Sequence, residues 1–267
     1  MKTRAAAVAG QFYPSTPGAL SAQLDSFLPS QKKEKAIAAL CPHAGYIYSG
    51  GVAGSVYSRL EMPRKIVLLG PNHTGIGPQF SLMAEGAWRV PNGLLPVDAE
   101  LAGRILEEVP FFTVDETAHE YEHSLEVQLP FIAHLRPDAS IVPVTMMPGL
   151  IEYLEKAGHG LARAISSQKE DVLMVVSSDM SHYVPDSTAR EKDRLAIDRV
   201  LGLDPEGLFE TINENRISMC GYIPAILMLY AAKMLGAEGG RLVSYDTSAS
   251  ASGDKDQVVG YAGIIIK

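Results

Sequence analysis

The chain has 267 residues, 46% of them hydrophobic, with 23 basic against 31 acidic side chains and a formal net charge of −8. That size and composition can bury a large core without disulfides or a structural metal, so one domain over residues 1–267 is the economical expectation. The acidic balance, with no Lys/Arg run longer than the QKKEK stretch near residue 33, argues against a nucleic-acid partner.

The opening MKTRAAAVAGQFYP reaches Gln11 and Pro14 before an apolar run long enough for a signal peptide develops. No stretch has the ~20 apolar residues of a membrane helix. Cys41 and Cys220 are too few for a disulfide framework, so a cytoplasmic protein with reduced thiols is expected. Val-, Ile- and Leu-rich runs of strand length recur at 36–41, 65–70, 140–144, 171–176, 241–245 and 258–266. They are continuous rather than alternating, as in strands covered on both faces. Helix-like stretches lie between them at 51–60, 98–108, 151–166, 186–201 and 222–235. This order predicts an α/β fold: a single three-layer domain whose central, mostly parallel or mixed sheet lies between helices. Residues 80–97, with Trp88, Pro91 and Gly93, read as a hairpin-like excursion, and the small polar residues 248–255 as a mobile loop.

In such sheets functional groups gather beyond the carboxyl ends of the strands. Three histidines follow apolar runs there: His43 in Pro42-His43-Ala44-Gly45, His73 in Asn72-His73-Thr74-Gly75, and His182 after DVLMVVSSD. Imidazole is the commonest metal ligand and proton shuttle, and Gly45 and Gly75 permit tight turns beside two of them, so a shared site is expected. Cys220 precedes the helix-like stretch AILMLYAAKML, where a helix dipole would favour a thiolate able to act as nucleophile or ligand; a buried inert thiol is the alternative. Cys41, at a strand end, fits the inert reading. Asp179 could orient an imidazole or cap the turn after its strand.

His119-Glu120-Tyr121-Glu122-His123 spells the H-E-x-x-H pattern of zinc proteases. That chemistry needs one helix through both histidines and a third ligand downstream. Pro130 limits such a helix, and Glu126 and Leu129 stand where the metzincin extension needs glycine and histidine. The stretch reads instead as Glu122-His123-Ser124 opening a helix whose apolar face is Leu125, Leu129 and Ile132, with His123 leaning into the pocket.

These motifs together resemble the Memo family: Phe12-Tyr13-Pro14, Pro42-His43-Ala44-Gly45-Tyr46, Gly70-Pro71-Asn72-His73, Glu122-His123-Ser124, Ser177-Ser178-Asp179 with Ser181-His182-Tyr183, Cys220-Gly221 and Val259-Gly260-Tyr261. The resemblance implies a fold like that of class III extradiol dioxygenases, which hold non-haem iron with two histidines and a glutamate. Carried over by position, His43 and His73 match the metal histidines, Cys220 stands in place of the carboxylate, and His182 matches the acid/base. One metal ion is implied, iron or copper foremost and zinc as a further option, because a thiolate is softer than a carboxylate. Radical-SAM and AMMECR-type proteins are the partners it implies.

Two readings follow. In the first, His43, His73 and Cys220 bind a redox-capable metal, His182 moves a proton, and Asp179 and His123 orient groups around an unknown small molecule. In the second, the same pocket grips a peptide or protein without catalysis. The motifs have no Arg cluster nearby of the kind that phosphorylated ligands need.

Overall fold

A computed structural model describes residues 2–149 and 151–267. Among them, nine strands form one mixed sheet. Its centre is Ala38–Cys41, Val172–Ser177, Lys65–Pro71 and Ser140–Met146, in that spatial order and all parallel. Val258–Ile266 closes one side antiparallel to Ala38–Cys41 and carries Gly240–Thr247 and His182–Val184. Phe80–Leu82 closes the other side antiparallel to Ser140–Met146.

Alternate strand residues feed two separate cores, as the pleat requires. Leu40, Val67, Leu69, Val142 and Val176 face helices Ala99–Glu108, Ile151–Ser166 and Tyr222–Met234. Ala39, Ile66, Leu68, Ile141 and Val175 face the opposite layer, where Tyr46–Tyr57 and Leu129–Leu135 pack with Pro17–Phe27. Burial on both faces explains why these runs are continuous in the sequence, and the three-layer α/β class is the one observed. The excursion at 80–97 contains the expected hairpin, Ala87–Val90 against Gly93–Pro96, which belongs to a small sheet with Thr3–Arg4.

Several boundaries differ from expectation. The helix expected at 51–60 is Tyr46–Tyr57, starting five residues earlier directly behind Gly45, its N-cap. Gly45 has φ −53°, which any residue adopts, whereas Gly75 has φ +68° and uses its lack of a side chain. Asp98 caps Ala99–Glu108 by accepting from Leu101 N. Within 248–255 the residues Ala249–Ser252 form a helical turn. No helix of the described residues is long and apolar enough to cross a membrane.

Candidate metal centre

The strands Ala38–Cys41, Val172–Ser177 and Lys65–Pro71 are parallel neighbours, so the segments leaving them share one edge of the sheet. His43 lies two residues beyond the first strand and His73 two beyond the last, while His123 enters from the loop after the Thr117–His119 turn. One ligand atom from each of His43, His73 and His123 lies within 4.8 Å of the others, a group that could hold a metal ion. His43 stands edge-on to His73 and to His123, with centroids 5.2 and 5.5 Å away, and the rings of His73 and His123 stack at 4.7 Å. Burial, then the charges that His73, His123 and His182 would carry, hold the His43 pKa well below its ordinary value. Burial lowers His123 as well, against the pull of Glu122. Neutral imidazole is the form that binds metal.

Hydrogen bonds decide which ring nitrogens are bare. The Ser177 hydroxyl spends its one hydrogen on the Ser124 carbonyl at 2.6 Å and accepts from Gln128 Nε2 at 2.8 Å. Its 2.9 Å contact with His43 Nδ1 is therefore donated by the ring, which leaves Nε2 with the lone pair. His73 Nδ1 lies 2.9 Å from Glu122 Oε1. Burial pushes Glu122 up, but bonds from the His73 ring and from the backbone of Ser124 and His73 outweigh it and bring its pKa to about 2. An ionised carboxylate only accepts, so His73 too donates from Nδ1 and bares Nε2. Carboxylate–histidine pairs of this kind fix ring orientation in metal sites.

Cys220 joins the cleft: its Sγ lies 3.3 Å from His43 Nε2 and accepts from Asp179 N at 3.3 Å. An ion bonded to nitrogen at ~2.1 Å and to sulfur at ~2.3 Å holds those atoms roughly 3.1–3.6 Å apart, so this spacing fits ligation by that pair, but the group within 4.8 Å is His43, His73 and His123, and Cys220, expected as the third ligand, lies outside it. The thiolate expected from the helix dipole is not what the surroundings favour. Burial, then the Asp179 carboxylate, push the thiol well above its ordinary range, outweighing the helix Tyr222–Met234 that begins two residues on. Gly221 allows the approach, because a Cβ there would lie 2.5 Å from Ser178 Cβ and 2.6 Å from Ser177 O. Cys41 is fully buried and its thiol is also pushed up by burial, in keeping with the inert reading.

His182 opens the short strand His182–Val184 and donates from Nδ1 to Ser218 O at 2.8 Å, so its Nε2 is bare as well. Asp179 is buried and accepts from His43 N at 2.8 Å. Burial raises its pKa to about 6 despite the backbone bond from His43 and the nearness of His182. Its carboxylate holds the turn that carries His43, which follows the neighbouring strand Ala38–Cys41 rather than its own.

The helix expected at Glu122-His123-Ser124 does not form there. A 3-10 turn, Glu126–Gln128, precedes the helix Leu129–Leu135, and Pro130 sits in that helix's first turn rather than ending it. Glu122 is thus held by His73 and Ser124. His119 and His123 share no helix, and His119 is fully buried against Trp88 at 5.8 Å, outside the three-histidine group. Sequence reasoning gave no role to Ser177, although it lies in the Ser177-Ser178-Asp179 motif, and missed Gln128, whose one signal was a polar residue in the stretch Leu125–Phe131.

His119 has a consequence for stability. Burial, then Arg4, lower its pKa to about 4. Between about pH 6.5 and 4 the unfolded chain binds a proton there that the folded chain does not, so folding weakens as pH falls through that window. The contribution is on the order of 3 kcal/mol. We expect His119→Phe to flatten the dependence of urea-unfolding free energy on pH between 6.5 and 4; an unchanged slope would refute the assignment.

The Memo-like protein family matches residues 4–265, a span that includes every residue of this cleft. The chain is 45% identical to a MEMO1 family protein of Aquifex aeolicus, over 99% of each chain. It is 40% identical to one of Methanosarcina mazei over the whole of both, and 38% identical to one of Sulfolobus acidocaldarius over 98% of each. The chain belongs to the Memo-like family. A crystal structure of an uncharacterized protein from Escherichia coli K12 shares the fold, with a TM-score of 0.57 at 15% identity over 86% of this chain and 100% of that one. The Memo motifs now have places: Phe12 packs its ring 4.8 Å from that of His123, and Tyr13 donates to the buried Glu126.

Proposed function

We propose that this Memo-family chain binds one transition-metal ion on His43 and His73, with His123 and Cys220 as adjoining donors, and acts as a redox or oxygenase-related enzyme on a small molecule. The observation that carries the reading is that His43 and His73 both commit Nδ1–H to fixed acceptors, Ser177 and Glu122, while standing with His123 in one group that could hold a metal ion. Imidazoles with a thiol suit iron, copper or zinc better than magnesium or calcium. Such an ion, when bound, supplies Lewis acidity or electron transfer at an open position. The protein's own part is to hold His43 and His123 neutral by burial and to present His182 Nε2 as the atom that takes or returns a proton. Radical-SAM and AMMECR-type proteins are its proposed partners, in the cytoplasm.

The test is metal content after anaerobic purification under reducing conditions, followed by titration with Fe(II), Cu(I) and Zn(II). We expect stoichiometric binding, with His43→Ala and His73→Ala each losing more than the about 10–100-fold that removal of an outer partner costs. Comparing His123→Ala with Cys220→Ser identifies the third donor. Wild-type protein that stays metal-free with all three ions would overturn the proposal in favour of a metal-independent binding pocket.

A further inference from the structure

Asp193 takes no part in the site as built so far. It lies on the helix Asp186–Leu201, whose other buried residues are Ala189, Ala196, Ile197 and Val200, so a carboxylate sits in the middle of an apolar stripe. The side chain is fully buried, and its donors among the described residues are neutral groups: Ser181 N at 2.9 Å on Oδ1 and the Tyr245 hydroxyl at 2.7 Å on Oδ2. A buried carboxylate without a cation is costly, so its acceptor atoms do something that an apolar residue could not. The strand Val258–Ile266 is shaped around it. A Cβ on Gly260 would lie 2.0 Å from Asp193 Oδ2, which gives the glycine of Val259-Gly260-Tyr261 its reason.

The segment that Asp193 holds is the one that carries His182. Three successive backbone N–H groups there go to three different elements: Met180 N to Gly260 O at 2.8 Å, Ser181 N to Asp193, and His182 N to the Ser218 hydroxyl at 2.7 Å. Gly260 N donates back to Ser181 O at 2.9 Å. Ser218 is exposed, so water competes for its hydroxyl, whereas Asp193 is sealed and solvent does not replace its bond. Tyr183, directly after His182, keeps a left-handed φ of +55°, a strained backbone that persists only where the surroundings over-determine it. The His182 ring depends on the same backbone, because its Nδ1 meets Ser218 O at 2.8 Å only while the segment stays in place.

We propose that Asp193 is a positioning residue: through Ser181 N it holds the Met180–His182 backbone where the His182 ring donates from Nδ1 to Ser218 O and keeps Nε2 bare. The inference rests on the reading above that His182 Nε2 takes and returns the proton. An imidazole released from that carbonyl exchanges its proton between the two nitrogens, and the share of rings with a bare Nε2 falls.

Imidazole nitrogen NMR of isotopically labelled, metal-free protein reads the tautomer, with the His182 signal assigned by its loss in His182→Gln. We expect wild type to hold His182 as the Nδ1–H tautomer and Asp193→Ala to lower that preference roughly tenfold, as loss of one hydrogen bond does. Asp193→Asn, which returns an acceptor oxygen to Ser181 N, should restore it. Tyr245→Phe removes the other donor to the same carboxylate, so it should lower the melting temperature yet leave the His182 tautomer as in wild type. Gly260→Ala presses on Oδ2 from the strand and should disturb His182 as Asp193→Ala does, which keeps the test decisive should that variant not fold. A wild-type tautomer in folded Asp193→Ala or Gly260→Ala, an equal disturbance in Tyr245→Phe, or wild type without the Nδ1–H preference would each overturn the assignment. The readout uses no metal, so its failure is distinct from failure of the metal-binding reading, which the Fe(II), Cu(I) and Zn(II) titrations decide.

Discussion

Glu122→Ala is expected to weaken metal binding by about 10–100-fold, the range measured when the outer partner of a ligating histidine is removed. The carboxylate is fully buried and its hydrogen bonds go to the site itself: His73 Nδ1 at 2.9 Å, His73 N, and Ser124 N at 2.8 Å. Without it His73 loses the contact that keeps the proton on Nδ1 and the lone pair on Nε2, so the ring can turn or change tautomer. Two backbone N–H groups lose their acceptor as well, each at a cost of ~1–3 kcal/mol if no water replaces it. Glu122→Gln keeps an acceptor oxygen but not the charge, so it should fall between Ala and wild type. Titration with Zn(II) and Co(II), with a thermal melt of each apo variant, separates lost ligation from lost folding. Wild-type metal affinity in Glu122→Ala would show that His73 is oriented by something else.

The second large effect is on stability. Glu126 and Arg4 form a buried ion pair, with side chains 0% and 6% exposed. The carboxylate also accepts from Ala7 N at 2.8 Å, Val8 N at 3.0 Å and the Tyr13 hydroxyl. Arg4 donates to His119 O at 2.7 Å and Glu122 O at 2.8 Å, with its guanidinium 4.1 Å above the Trp88 ring. Glu126→Ala would leave that guanidinium buried without a counter-charge, which costs about 3–5 kcal/mol. For a chain of this size the melting temperature should fall by on the order of 10 °C. In a double-mutant cycle, Arg4→Ala with Glu126→Ala should cost less than the sum of the two, because the second change removes the charge that the first left unpaired. Additive losses would mean that the two groups act separately. The pair ties residues 4–13 to the loop of Glu122 and His123, so the segment next to Phe12 should loosen with it.

The histidines show how far chain order reaches. His43 and His73 could be found without coordinates, because in a parallel α/β sheet a polar residue just beyond an apolar run lies at the functional edge. The register of Ala38–Cys41, Val172–Ser177 and Lys65–Pro71 brings their ends together for that reason. Glu122, by contrast, was visible as part of the Glu122-His123-Ser124 motif but without its partner, and the helix expected around it fails. Its carboxylate and that of Glu126 are held by His73 and by Arg4, which lie 49 and 122 positions away in the chain. No local periodicity carries such a bond.

Chain order by itself determined the α/β class, the two-faced burial of the central strands and the placing of His43 and His73, since each follows from side-chain polarity along a strand and its immediate exit. Only the tertiary structure decided that Cys220 lies 3.3 Å from His43, that its thiol is raised rather than lowered, and that Ser177 and Glu122 hold Nδ1 of the two imidazoles. Those outcomes depend on desolvation and hydrogen bonds between distant segments, which exist only after the sheet has brought the segments together.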